Sequence, residues 1–190
     1  PTPEVYKGNV SCVGPRACYD ESKRLAETLC TTHHQVYGVP VKIVRPFNIY
    51  GPGMKPDDYR VIPTFIARAL RAQPLPVHGK GNQTRTFCYI SDAIEATNLI
   101  MVSDKTDGEI VHIGNDQEEI TILNLAKKLL DLTGNKINLK VEPAPEGCVQ
   151  RRCPNISKLK SLTGYTPKVP LIDGLKETFK WYSNYYERNK

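Results

Sequence analysis

An α/β fold is predicted by the order of secondary-structure signals along the 190 residues of the chain. Short β-branched segments alternate with longer segments in which apolar residues recur at helical spacing, and this alternation is typical of α/β proteins. Apolar residues make up 39% of the composition and charged residues 24%, which favours a folded core over disorder. Because no apolar run reaches the length of a membrane-spanning helix, we do not expect a membrane protein.

The first part of the chain predicts two helices separated by a strand and an irregular loop. Residues 18–37 repeat apolar side chains at helical spacing, and Gly38 follows as a terminator. A short buried strand is predicted at residues 41–44. The segment 45–53 contains two prolines and two glycines, so we expect an irregular loop at the carboxyl end of that strand, where open α/β sheets bind ligands. Residues 61–72 predict the next helix.

The remainder of the chain continues the alternation. Strands are predicted at residues 75–78, 85–89, 109–113 and 137–141. Helices are predicted at residues 91–102, 121–133, 155–163 and 171–187. Ser91 and Asp92 are expected to cap the first of these helices, and Thr121 the second, which Gly134 should end.

The formal net charge of +6 suits an anionic partner. The sequence shows no basic stretch interleaved with aromatic residues and no zinc-finger pattern, so we do not expect nucleic-acid binding. An anionic small molecule such as a nucleotide is the better fit to this charge.

Six cysteines occur without a regular spacing, at positions 12, 18, 30, 88, 148 and 153. Cys30 and Cys88 lie in apolar segments and are expected to be buried thiols, so we predict reduced cysteines and a cytoplasmic location. Cys30, His33 and His34 could share a metal on one helix, but no fourth ligand accompanies them. We therefore expect no metal site.

Tyr19 and Lys23 form a Tyr-x-x-x-Lys pair on the first predicted helix. A spacing of four residues places both side chains on one helix face, about one turn apart. A nearby ammonium favours the phenolate, so a tyrosine in this position can take a proton from a substrate hydroxyl.

Four segments, in this order, resemble motifs of the extended short-chain dehydrogenase/reductase family that acts on sugar nucleotides. They are Tyr19 to Lys23, Arg-Pro-Phe-Asn-Ile-Tyr-Gly-Pro at 45–52, His-Gly-Lys-Gly-Asn-Gln-Thr-Arg at 78–85 and Tyr-Ile-Ser-Asp-Ala at 89–93. The resemblance covers nearly all of the chain.

Within that family, three segments are most similar to UDP-glucuronate decarboxylases: residues 14–24, 58–62 and 151–156. The chain departs from their usual pattern at Ser22, Gly53 and His78, which leaves the exact substrate open. The resemblance implies an enzyme that uses NAD to form UDP-xylose from UDP-glucuronate. The alternatives are a UDP-sugar 4-epimerase, a sugar-nucleotide 4,6-dehydratase, or a non-catalytic fragment that binds nucleotide sugars.

The resemblance also implies an extended Rossmann-type fold, of which we expect this chain to be the carboxyl-terminal part. The Gly-rich phosphate loop that opens the family's first βαβ unit does not occur in the sequence. Residues 1–50 are expected to be a remnant of the NAD-binding domain with the Tyr-x-x-x-Lys helix. Residues 51–190 are expected to be mainly the sugar-nucleotide-binding domain, with segments near 86–115 returning to the Rossmann sheet.

Carried over to this chain, the family's motifs imply a set of site residues. Tyr19 is the general base towards the sugar 4-hydroxyl, and Lys23 is its partner and also bonds the nicotinamide ribose. The predicted NAD-binding residues are Tyr19, Lys23, Pro46 and Ile49. The predicted substrate-binding residues are Asn48, Arg60, Ile62, His78, Arg85 and Arg152. Arg45 and Asp92 are expected to be structural, because buried charges are usually paired.

The resemblance further implies a homodimer for the intact enzyme. The contact is expected through the helix that carries Tyr19, on which Leu25, Leu29 and Val36 are available for burial.

Overall fold

Helices and short strands alternate along the chain in the computed structural model, which describes residues 1–134, 136–144 and 148–189. The described part contains six α-helices: α1 (Ala17–Tyr37), α2 (Val61–Leu70), α3 (Ile90–Val102), α4 (Ile122–Thr133), α5 (Ser157–Thr163) and α6 (Leu171–Arg188). It contains nine strands: β1 (Ile43–Pro46), β2 (Ile49–Tyr50), β3 (Leu75–His78), β4 (Thr84–Arg85), β5 (Cys88–Tyr89), β6 (Ile110–Ile113), β7 (Ile120–Thr121), β8 (Leu139–Glu142) and β9 (Arg151–Arg152). The predicted α/β class is confirmed.

The strands pair mostly in parallel. β1 lies beside β6, β2 beside β5, and β3 beside β8, all in parallel register. β4 is the centre of a three-stranded sheet, in which it runs parallel to β9 and antiparallel to β7. Parallel pairs need long crossover connections, and the helices between the strands supply them.

Two buried clusters hold these elements together. The larger one joins α2, α4 and α6 to β3, and its fully buried side chains include Phe65, Leu129 and Leu175. The smaller one joins α3 and α5 to β6 through residues such as Ile100 and Leu159. Each fully buried side chain of this size contributes roughly 1.5–3 kcal/mol of transfer free energy, so these faces fix how the helices pack.

Helix α1 differs from the others because none of its residues is buried. It ends as predicted at Gly38, whose φ of 68° is left-handed and whose amide donates to the carbonyl of His34 at 2.9 Å. The expectation that Cys30 is buried is wrong, since this thiol on α1 is only half-buried, whereas Cys88 is buried as predicted. In the described residues, no helix has the length and hydropathy needed to cross a membrane.

Arg45 attaches α1 to the rest of the molecule. Its guanidinium donates two hydrogen bonds of 2.6 Å to the Glu27 carboxylate on α1, and a third, of 2.9 Å, to the carbonyl of Glu4. The hydrogen bond to Glu27 raises the pKa of Arg45. The structural role predicted for Arg45 is confirmed.

Most predicted elements agree with the structure to within two residues, but the strand predicted at 85–89 is divided. Arg85 belongs to β4, beside β9, and the amide of Thr86 still donates to the carbonyl of Arg152. From Cys88 onward the chain pairs with β2 instead, and the amide of Cys88 donates to the carbonyl of Asn48, the residue before β2. The segment therefore forms two short strands because it pairs with two different neighbours.

The loop predicted at 45–53 is partly strand. Residues Ile43–Pro46 pair with β6 along their whole length, and the amide of Phe47 extends the pairing with a bond of 2.8 Å to Ile113. β1 therefore lies two residues further along the chain than predicted, and the irregular parts of the segment are residues 47–48 and residues 51–53, on either side of β2.

Of the two predicted helix N-caps, one is confirmed and the other is wrong. Thr121 caps α4, since its hydroxyl accepts a 3.1 Å hydrogen bond from the amide of Asn124. Ser91 and Asp92 do not cap α3, which begins at Ile90 without a side-chain cap. Asp92 points into the protein instead, and only 3% of it is exposed.

The buried carboxylate of Asp92 ties α3 to the segment that precedes α6. It accepts hydrogen bonds from the Tyr165 hydroxyl at 2.6 Å and from the amides of Lys168 and Val169, each at 3.1 Å. Burial and this carboxylate raise the pKa of Tyr165. The structural role expected for Asp92 is confirmed.

Replacing Asp92 with Ala should destabilise the fold markedly, because the buried Tyr165 hydroxyl and two half-buried backbone amides lose their acceptor. We expect the melting temperature in a thermal scan to fall by about 4 °C or more. Glu95→Ala is the matched control on the same helix, since Glu95 pairs with the Lys168 side chain at the surface. Equal shifts for the two variants would show that the Asp92 network does not hold this region.

Candidate functional site

A cavity of about 280 Å³ lies among the ends of β3, β4 and β9, the loop after β1 and the start of α2. This is close to the lower end of the size range of small-molecule sites. All six predicted substrate-binding residues line it: Asn48, Arg60, Ile62, His78, Arg85 and Arg152. Residues distant in sequence therefore meet as the motifs predicted, although their individual roles stay predictions.

Arg85 is fixed to the cavity wall by the backbone around it. Its guanidinium donates to the carbonyls of Thr84 at 2.8 Å, Val149 at 2.6 Å and Gln150 at 3.3 Å. Burial lowers the pKa of Arg85, and the neighbouring positive charge of Arg152 lowers it further. The group is thus a preoriented cation close to a second one.

The two arginines of β9 have different surroundings. Arg151 donates two hydrogen bonds of 2.8 Å to the carboxylate of Glu119, which also accepts a bond of 2.5 Å from the Thr84 hydroxyl. These bonds lower the pKa of Glu119 to about 2. Successive side chains of a strand point to opposite sides, so Arg152 lines the cavity while Arg151 does not. Of the two arginines, Arg152 is therefore the one on the cavity wall, and its contact with a diphosphate stays a prediction.

Arg85 and Arg152 place two positive charges on one cavity. Within the described ranges, no carboxylate forms an ion pair with either guanidinium, whereas Arg45, Arg60 and Arg151 each have a carboxylate partner. Guanidinium groups bind the oxygens of phosphates and carboxylates through paired hydrogen bonds. This arrangement suits a ligand that carries at least two negative charges.

Arg60 also lines the cavity, but its charge is already compensated. Its Nε and Nη2 donate to the Asp58 carboxylate at 2.9 and 2.5 Å, and its amide donates to the same carboxylate at 2.8 Å. The hydrogen bonds from Arg60 lower the pKa of Asp58. Arg60 can still donate to a ligand, but it adds less net charge to the cavity than Arg85 does.

Asn48 shapes the turn between β1 and β2. Its φ of 45° lies in the left-handed region, which asparagine tolerates better than most residues. Its side-chain amide donates to the carbonyl of Thr86 at 2.8 Å, which holds the turn against the segment between β4 and β5. The adjacent Ile49, predicted to contact NAD, lines the same cavity.

Tyr19 and Lys23 lie on α1 and do not line the cavity. The Tyr19 side chain is exposed, with the Lys23 ammonium 5.5 Å and the Arg16 guanidinium 5.4 Å from the centroid of its ring. Pro46, also predicted to bind NAD, is the last residue of β1 and lies outside the cavity lining. The predicted acid–base pair is therefore present, but the structure does not bring it together with the predicted substrate-binding residues.

Several residues that line the cavity were not predicted. Two of them are Gln83, whose side-chain amide donates to the carbonyl of His78, and Cys148, whose sulfur lies 4.0 Å from the same amide nitrogen. Gln83 lies within the motif at 78–85, so its place in that motif was the available signal. Cys148 belongs to no pattern and reaches the cavity only because β9 pairs with β4. Within the described residues, no group of three or more His, Cys, Asp or Glu could hold a metal.

Comparison with known proteins agrees with the resemblance found in the sequence. The family described as "NAD dependent epimerase/dehydratase family" matches residues 2–114. UDP-glucuronic acid decarboxylase 3 of Arabidopsis thaliana is 46% identical over 176 residues, which cover 92% of this chain and 50% of the relative. UDP-glucuronic acid decarboxylase 1 of Danio rerio is 40% identical and covers 98% of this chain and 44% of the relative. The chain thus spans about half the length of the curated relatives it matches.

Solved structures share the fold over almost the whole chain. UDP-glucose 4-epimerase of Thermotoga maritima, solved with UDP-glucose, has a TM-score of 0.88 at 28% identity over 98% of this chain and 58% of its own. UDP-glucuronic acid 4-epimerase of Bacillus cereus, solved with UDP-glucuronic acid and NAD, has a TM-score of 0.83 at 31% identity over 95% and 58%. The predicted Rossmann-type α/β fold is confirmed, and the chain belongs to the NAD-dependent epimerase/dehydratase family.

Proposed function

We propose that this chain supplies the sugar-nucleotide site of an NAD-dependent UDP-glucuronate decarboxylase, which forms UDP-xylose through a 4-keto intermediate. The observation that carries the proposal is the pair of cations, Arg85 and Arg152, on one cavity without a carboxylate partner among the described residues. A nucleoside diphosphate carries the matching negative charges. The names of the curated relatives support the choice of UDP-glucuronate.

In this proposal the diphosphate lies against Arg85 and Arg152, and the remaining predicted residues surround the nucleoside and the sugar. His78 and Ile62 offer flat and apolar surface to the base, and Asn48 lies towards the sugar. Residues 51–190 then act mainly in substrate binding, apart from the segments near 86–115, and residues 1–50 carry the acid–base helix.

We propose that NAD accepts hydrogen bonds from two side chains of α1. The Tyr19 hydroxyl and the Lys23 ammonium, one turn apart on an exposed helix face, can both bond a ribose hydroxyl, and Pro46 and Ile49 offer apolar surface. When bound, NAD would supply the hydride acceptor for C4 of the sugar.

The proposed role of Tyr19 is to remove the proton of the sugar 4-hydroxyl, with Lys23 favouring the phenolate. The resulting 4-ketone is β to the carboxylate at C6, so it can accept the electron pair of the breaking carbon–carbon bond as an enolate while carbon dioxide leaves. Donors near the 4-oxygen would stabilise that enolate. Protonation at C5 and reduction of the ketone complete UDP-xylose.

Arg152→Ala should weaken binding of UDP to this chain, because the diphosphate loses a charge-assisted hydrogen bond. We expect the Kd from isothermal titration calorimetry to rise about tenfold or more. Arg151→Ala is the control one residue earlier, and it should leave the Kd within about twofold because this arginine faces Glu119. An equal or greater loss in the Arg151 variant would contradict the proposed diphosphate site.

Tyr19→Phe should abolish most of the decarboxylase activity, since it removes the hydroxyl that exchanges the proton. The test uses a chimera in which this chain replaces the matching segment of the Arabidopsis relative, with release of carbon dioxide from UDP-glucuronate as readout. Turnover should fall about a hundredfold or more, while the Kd for UDP stays unchanged. Tyr37→Phe, at the exposed far end of α1, is the control and should be silent.

The same chimera distinguishes the alternative activities. If the chimera converts UDP-glucose but releases no carbon dioxide from UDP-glucuronate, the activity is that of a 4-epimerase and the proposed decarboxylase activity is wrong. Undiminished turnover in the Tyr19→Phe chimera would remove Tyr19 from the mechanism.

We further propose that the intact enzyme is a homodimer in which α1 is covered. Leu25, Leu29 and Val36 are 59%, 52% and 64% exposed, and they lie on the side of the helix away from Glu27, which faces the protein. A row of apolar side chains of this kind is typical of an interface.

We also propose a reducing, cytoplasmic location, which the free cysteines support.

Leu25→Glu combined with Leu29→Glu should convert the chimera from dimer to monomer, because two charges would be buried at the interface. Light scattering at micromolar concentration measures the mass directly. The control is Leu25→Met with Leu29→Met, which keeps the face apolar and should remain dimeric. A monomer before any substitution would refute the proposed dimer.

A further inference from the structure

Cys148 lies on the wall of the cavity beside the proposed diphosphate site. It is half-buried, and the Gln83 amide nitrogen lies 4.0 Å from its sulfur. The guanidinium of Arg85 lies close by, since it donates to the carbonyl of Val149, the next residue, at 2.6 Å and lines the same cavity. Cys148 is therefore an accessible sulfur next to a guanidinium.

Gln83 provides an independent sign that a ligand contacts this wall. Only 7% of Gln83 is exposed, and its amide nitrogen donates to the carbonyl of His78 at 2.9 Å. Its side-chain oxygen is buried and has no hydrogen-bond partner among the residues that the structure describes. Buried acceptors in native proteins are nearly always satisfied, so this oxygen, in a residue that lines the cavity, needs a donor that the described residues do not supply.

We propose that Cys148 is a thiol-modification site inside the cavity, which reacts with anionic disulfides and is protected by a bound nucleotide. The inference rests on the proposed function for the identity of the nucleotide. The chemical class of the modifying reagent follows from the charge of the site, because Arg85 and Arg152 raise the local concentration of anions.

The surroundings of the other cysteines make Cys148 distinct. Burial raises the pKa of Cys88 to about 12 and also raises that of Cys153, so both thiols resist ionisation. Cys12 and Cys18 are exposed and Cys30 is half-buried, but these three lie outside the cavity lining. Cys148 is half-buried and lines the same cavity as Arg85 and Arg152, so an anionic reagent held by these cations can meet its sulfur.

The reaction is thiol–disulfide exchange. The Cys148 sulfur attacks one sulfur of the small disulfide, a new S–S bond forms, and the original S–S bond breaks. Cys148 is oxidised to a mixed disulfide, and the departing half of the reagent is reduced to a thiolate, which takes up the proton that Cys148 lost. The anionic group now attached to Cys148 occupies the space and the cations that the diphosphate needs.

The test follows labelling of this chain by 5,5′-dithiobis(2-nitrobenzoate), an anionic disulfide, with mass spectrometry to assign each modified cysteine. With UDP at about ten times its Kd, the rate at Cys148 should fall about tenfold, because only the unliganded fraction reacts. The rate at Cys18 should stay within about twofold, since this thiol lies outside the cavity. A neutral disulfide, 4,4′-dithiodipyridine, should label Cys148 more slowly relative to Cys18 than the anionic reagent does.

The reverse experiment measures UDP binding after labelling. The modified chain should lose UDP binding and regain it with dithiothreitol, whereas Cys148→Ser should bind UDP before and after the same treatment. If calorimetry shows UDP binding but UDP does not slow the labelling of Cys148, the inference is wrong and the proposed function stands. If UDP does not bind, the proposed function fails, and a lack of preference of Cys148 for the anionic reagent would then overturn the inference as well.

Discussion

The repulsion between the guanidinium groups of Arg85 and Arg152 is the constraint on which the site depends. Both groups lie on one cavity, and the positive charge of Arg152 adds to burial in lowering the pKa of Arg85. The fold sustains this cost at β4 through three backbone carbonyls that accept hydrogen bonds from Arg85. A ligand with two negative charges would relieve the repulsion, so the folded chain is prepared for a diphosphate before it binds one.

The strand pairing explains why these groups meet. β9 follows β4 by more than sixty residues in sequence, yet the two lie side by side in parallel register. The buried faces of α2, α4 and α6 hold strand β3, whose last residue, His78, lines the cavity. A packed core thus positions polar groups at strand ends, the usual arrangement in α/β proteins. Helix α1 has no such core, and its attachment through Arg45 and Glu27 leaves the Tyr19 face open.

The sequence was a good guide wherever one local signal determined the outcome. Gly38 and Thr121 end and begin helices as predicted, because a left-handed residue and a hydroxyl cap act within one turn. The six residues that the family resemblance implied for the substrate all line one cavity, and their role in binding stays a prediction. The sequence could not show that 85–89 divides between two partners, or that Asp92 bonds Tyr165 and not its own helix, since both depend on segments far away in sequence. The position of Cys148 on the cavity could not be predicted from the sequence for the same reason.

The central claim is that Arg85 and Arg152 together form the diphosphate site. A crystal structure of this chain grown with UDP tests it most directly. Both guanidinium groups should donate to oxygens of the diphosphate, and the Gln83 oxygen should gain a donor from UDP or from a water that UDP orders. A structure in which UDP is bound but its diphosphate contacts neither arginine would contradict the claim.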